Sequence, residues 1–68
     1  MKYGELIRKL RKLGVEFRRQ AKGSHEVWGN RRTGRYTLIP NHAGKDIKSR
    51  TLRQILKDLG LSEEDLKG

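Results

Sequence analysis

Residues 15–40 decide the fold: VEFRRQ (15–20), AKGS (21–24), HEVWGN (25–30), RRTG (31–34) and RYTLIP (35–40). The three longer blocks are short, hold β-branched and aromatic residues, and are separated by glycine-containing breaks, which is the pattern of strands joined by turns. Val15 and Phe17 alternate onto one face of the first strand, 15–20. The second strand is 25–30 and the third is 35–40, ending at Pro40 because proline cannot continue a ladder. Gly34 supplies the positive φ that a four-residue hairpin loop requires. Turns this short pair neighbouring strands antiparallel, so the stretch predicts a three-stranded meander.

Outward from the meander lie two helices. Leu6, Ile7, Leu10 and Leu13 form one apolar stripe on a helix over Glu5–Leu13, with Gly14 where a left-handed cap is expected. Leu52, Ile55, Leu56 and Leu59 form another over Arg50–Leu59, with Ser49 as N-cap and Gly60 as C-terminal cap. A last turn starts at Ser62, whose partner Asp65 completes a capping box. Between the third strand and the second helix, Asn41–Lys48 reads as a polar loop. The order α-β-β-β-α predicts an α+β domain spanning 1–68, a three-stranded antiparallel sheet with both helices packed on one face. The opposite face is then open. The pattern leaves two registers for β2. In one, Val27 is core and Trp28 stands on the open face as a self-association or partner surface; in the other, Trp28 is core.

Charge is the loudest compositional feature. The 68 residues carry a net charge of +9, split as +11 over residues 1–53 and −2 over 54–68. A one-sided excess of this size attracts polyanions, and nucleic acid is the first expectation for a partner. A merely solvated, heat-stable surface would balance the two signs. No helix pairs a basic face with large exposed apolar residues, so no membrane partner is expected. No apolar run approaches the roughly 18–20 residues of a membrane span, and Met1–Leu10 does not read as a signal peptide. With no cysteine, neither a disulfide nor a thiolate metal site is available, and a reducing cytoplasm fits.

The chemistry-bearing residues are few. His25 and His42 are the only imidazoles, and no acid sits at a familiar ligand spacing from them, so neither a metal nor another cofactor is expected. Ser24 and His25 are adjacent and point apart at a strand entry, which disfavours a nucleophilic triad. What remains is His25 beside Lys22. A histidine titrates near neutrality and can move a proton in phosphodiester chemistry. RNA brings its own nucleophile, the 2′-OH, so a proton carrier plus cations suffices. A lone histidine is more often structural, and spacing alone does not assign it.

Four motifs add to this reading. Gly23-Ser24-His25 resembles the G-S-H at the second strand of the HicA toxin family. Pro40-Asn41-His42 resembles its P-x-H at the end of the third strand. Thr51-Leu52-Arg53-Gln54-Ile55-Leu56 resembles its T-L-R-x-I-L, and Leu59-Gly60-Leu61 its C-terminal close. They fall in the family's order and cover essentially the whole chain. The resemblance implies a double-stranded-RNA-binding-like fold, a ribonuclease that cleaves mRNA, His25 as its catalytic residue, and a HicB antitoxin that masks the site. The chain departs from the pattern at Arg50, where the family usually has glycine, and places Glu26 directly after the histidine; on a strand, Glu26 faces away from His25.

Lys22, Gly23 and Ser24 flank His25 and are expected RNA contacts, with Lys45, Lys48 and Arg50 as a second group where the loop enters the second helix. A helix N-terminus there adds its own positive potential. His42 is expected to bond the loop before the second helix. The competing class is a non-catalytic RNA-binding module of the same fold, for which the G-S-H setting would be superfluous. The few scattered aromatics predict no stacking platform for single strands.

Overall fold

The chain forms the predicted α-β-β-β-α array, seen in a computed structural model that describes residues 1–42 and 44–67. In chain order the elements are α1 (Tyr3–Lys12), β1 (Val15–Gln20), β2 (His25–Asn30), β3 (Arg35–Pro40), α2 (Ser49–Leu59) and α3 (Glu63–Lys67). The strands pair antiparallel in the order β1-β2-β3. Leu6, Ile7 and Leu10 of α1 and Ile55, Leu56 and Leu59 of α2 enter one core with Val15, Trp28 and Ile39. Both helices therefore cover the same sheet face, the arrangement expected for a double-stranded-RNA-binding-like fold. None of the described helices is long and apolar enough to cross a membrane.

Strand boundaries match the sequence reading, and helix starts differ. Helix α1 begins at Tyr3 rather than Glu5. Its cap residue Lys2 makes no side-chain cap; instead the Ile47 amide bonds the Met1 carbonyl at 2.8 Å and Lys2 Nζ bonds the Gly44 carbonyl at 2.7 Å. Tertiary contacts hold this end where local capping chemistry is weak. Helix α2 begins at Ser49, with Lys48 and not Ser49 at the cap position. Gly60 closes it at φ 73, with the Leu61 amide returning to the Leu56 carbonyl at 2.8 Å. The capping box at Ser62 forms as expected. Ala43, in the predicted 41–48 loop, lies outside the described residues.

The register of β2 resolves in favour of Trp28. Glu26, Trp28 and Asn30 face the helices, and Trp28 is 1% exposed; Val27 is half-buried on the open face, so it is not the core residue. An indole of this size removes roughly 4–6 kcal/mol worth of apolar surface from water, before ordering costs. Arg11 covers it, its guanidinium 5.5 Å from the ring centroid. Phe17 shares the inner face and meets Trp28 edge-on at 5.7 Å, yet it is 48% exposed. It lies on an edge strand beside a bulge between Phe17 and Arg19, beyond full helix cover.

Polar residues take the other inner positions, each with a partner. Asn30 donates to the Leu59 carbonyl at 2.8 Å and accepts from the Arg32 amide at 2.9 Å. Thr37 Oγ1 donates to Asp58 at 2.9 Å. These bonds pin α2 to the β2–β3 hairpin. The open face carries Val27, Tyr36 and Leu38 in place of tryptophan.

Candidate functional site

The site is built at the end of the sheet where β2 begins and β3 ends. Gly23, at φ 63, lets residues 21–24 turn tightly. The Ala21 amide then bonds the His25 carbonyl at 2.9 Å, and the His25 amide bonds the Lys22 carbonyl at 3.3 Å. Gln20 Nε2 also donates to the His25 carbonyl, at 2.9 Å. His25 is thus fixed through its backbone, opposite Pro40 in the ladder, while its side chain stands exposed.

Across the sheet end, the Asn41 amide bonds the Ser24 carbonyl at 2.9 Å. Ser24 Oγ lies 3.4 Å from both ring nitrogens of His42, at the outer limit of hydrogen bonding. Among the described residues, the side chain of His42 makes its polar contact with Ser24 rather than with the loop before α2. Folding joins the two motifs, Gly23-Ser24-His25 and Pro40-Asn41-His42. His42 also lines a cleft of about 300 Å³ with Lys45, Lys48 and Thr51. Asp46 shares that cleft, but it is engaged by Lys2 at 3.6 Å and by the Met1 amino group at 3.9 Å. The first turn of α2 holds no acidic residue and no side-chain cap, so its amides add positive potential beside these lysines. Lys22 is exposed in the turn just before Ser24, and Arg50 is exposed on the first turn of α2, outside the residues that line the cleft. The departure at Arg50 leaves the helix entry regular. Among the described residues, no three His, Cys, Asp or Glu come together as a metal cluster.

Residues 3–61 match the family described as the HicA toxin of bacterial toxin–antitoxin systems. The chain is also 41% identical over 64 residues to a probable mRNA interferase HicA of Pseudomonas fluorescens (strain Pf0-1), covering 93% of this chain and all of that protein. The chain belongs to the HicA toxin family. No solved structure matches it.

Directly beneath the site of this HicA chain lies a group that sequence reading did not credit with a role. Glu26 does face away from His25, but into the core, where it is only 8% exposed. Its carboxylate accepts from the Tyr3 hydroxyl, from Trp28 Nε1 at 3.0 Å and from Asn41 Nδ2 at 3.0 Å. Burial alone would raise its pKa; the three donors outweigh that and hold it below the usual carboxylate range. Burial and the same carboxylate push the Tyr3 phenol up to about 12. Glu26 thus ties α1, the core tryptophan and the Asn41 end of β3 into one network. The available signal was parity: Glu26 sits two residues before Trp28, so the register that buries one buries both.

Proposed function

We propose that this HicA toxin is a metal-independent endoribonuclease that cleaves mRNA, with His25 as its catalytic residue. The observation that carries the reading is the joining of the two histidine motifs at one exposed sheet end, with His25 open to solvent and cations on both sides of Ser24. Family membership supports the toxin role, and the relative named an mRNA interferase supports the reaction. In this scheme the RNA 2′-OH attacks the adjacent phosphorus and His25 takes its proton. The bond to the 5′ oxygen breaks, and the leaving oxygen takes up the proton that His25 carries, which returns the imidazole to its neutral form. The products are a 2′,3′-cyclic phosphate and a 5′-hydroxyl. Lys22, Lys45 and Lys48 hold the phosphates and offset charge in the transition state, with the Gly23 and Ser24 turn and Arg50 giving further contacts. A HicB antitoxin places carboxylates against these lysines and covers His25, and the pair acts in the cytoplasm.

The test is cleavage of a mixed-sequence RNA in excess chelator, with the new ends mapped chemically. The expected result is undiminished cleavage leaving 2′,3′-cyclic phosphate ends. Loss of activity in chelator that returns with added divalent metal would contradict the scheme.

A further inference from the structure

The open sheet face holds a feature that the proposed chemistry does not use. Moving along β2 from His25, the outward pairs are His25–Pro40, Val27–Leu38 and Gly29–Tyr36. Tyr36 is 59% exposed and Leu38 53%. The Arg18 guanidinium lies 5.7 Å from the centroid of the Tyr36 ring. Gly29 makes room for this pairing: a Cβ there would stand 2.7 Å from Arg18 Nε and 3.2 Å from the ring of Tyr36. Tyr36 and Arg18 therefore close over Gly29 together, with the guanidinium over the phenol ring. Beside this pair an open groove of about 680 Å³ runs over the β3 edge, lined by Arg19, Val27, Tyr36 and Leu38 on the sheet side and by Gln54 and Asp58 on the α2 side.

The charges at this face favour an anionic occupant. Arg18 and Arg19 are both exposed there. Glu16, opposite Gly29, is engaged by Arg31 at 3.6 Å. Asp58, which lines the groove from α2, accepts from Thr37 and from Gln54. A second copy of the same face would bring arginines against arginines. Gly29 is four residues from His25, on the order of 13 Å along the strand, a span that a few unstacked nucleotides cover.

We propose that Tyr36 and Arg18 form a base-stacking subsite for single-stranded RNA, on the same sheet face as His25. A base stacks on the phenol ring and guanidinium plane, and Arg19 meets the adjoining backbone. This inference rests on the ribonuclease reading for its substrate, and it adds a preference: an unpaired nucleotide near the cut.

The experiment compares Tyr36→Ala, Tyr36→Leu and Tyr36→Trp, each in a His25→Ala background so that RNA stays intact. Affinity is measured at one salt concentration for a labelled single-stranded oligoribonucleotide and for a fully paired RNA duplex. Stacking of one base is worth roughly 5- to 150-fold in affinity. The Ala and Leu variants should lose that for the single strand and leave the duplex unchanged, and Trp should retain wild-type affinity. Tyr36→Leu keeps an apolar side chain and so guards against a folding defect in Tyr36→Ala. Equal losses on both RNAs, or no loss in either variant, would overturn the subsite. So would unchanged RNA affinity with loss of antitoxin binding or of a dimer, which would assign the face to a protein. Binding is read without cleavage, so failure of the ribonuclease scheme and failure of this subsite give separate results.

Discussion

The two faces of this sheet each carry side chains of the kind usually found on the other. The face under the helices buries three polar residues, Glu26, Asn30 and Thr37, around Trp28. The open face exposes Tyr36 and Leu38. Each of these three side chains has a partner, so their polarity serves as a set of bolts between sheet and helices. On the outer face the apolar and aromatic groups stand beside His25, Arg18 and Arg19. The proposed function divides the work accordingly, with stability on one face and recognition with chemistry on the other.

The largest expected effect breaks the inner face. Trp28→Ala removes the central side chain and leaves a cavity, and it should cost about 3–5 kcal/mol in denaturant unfolding, enough to leave little folded protein. The matched change on the outer face, Leu38→Ser, should stay within about 0.5 kcal/mol. Similar losses for the two would mean that the faces do not divide the work.

A somewhat smaller effect comes from the buried carboxylate. Glu26→Ala strands donors from Tyr3, Trp28 and Asn41 and should cost about 2–4 kcal/mol. The same network fixes a pH dependence. Glu26 has a depressed pKa in the fold, so its contribution is present above the ordinary carboxylate pKa and is lost as pH falls through the depressed value. Tyr3 is raised from 10.0 to about 12, so its contribution is present below pH 10 and is lost as pH rises toward about 12. Thermal melts across pH should show both flanks; Glu26→Ala should remove the acid flank and only shrink the alkaline one, because burial of Tyr3 is the larger cause there. An acid flank that survived in Glu26→Ala would contradict this assignment.

Much of this was legible in the sequence, for physical reasons that can be named. The strands 15–20, 25–30 and 35–40 are bounded by turns whose glycines take positive φ, as Gly23 and Gly34 do, and the helices by stripes that only a core satisfies. The register of β2 was not legible, because Glu26 and Asn30 are polar and the inner face therefore lacks an alternating apolar signal. The start of α1 was hidden because it rests on contacts with residues 44–47 and not on a cap. The meeting of Ser24 with His42 spans eighteen residues, and nothing local encodes it. The pairing of Tyr36 with Arg18 is likewise invisible in the sequence: antiparallel pairing sets Tyr36 opposite Gly29, and the bulge in β1 brings Arg18 to the same spot.

The smallest expected change in stability and the largest in activity meet in one residue. His25 is exposed and held by its backbone alone, so His25→Ala should unfold at the wild-type midpoint, within about 0.5 kcal/mol. General acid–base catalysis is worth about 10²–10⁴-fold, and RNA cleavage should fall by at least that much. RNA affinity should survive, because the proposed phosphate contacts lie on lysine and arginine. Melting, RNA binding and cleavage measured side by side on wild type and His25→Ala test the division directly. A folded, RNA-binding and inactive variant is the predicted result; a folded variant that cleaves at the wild-type rate would contradict it.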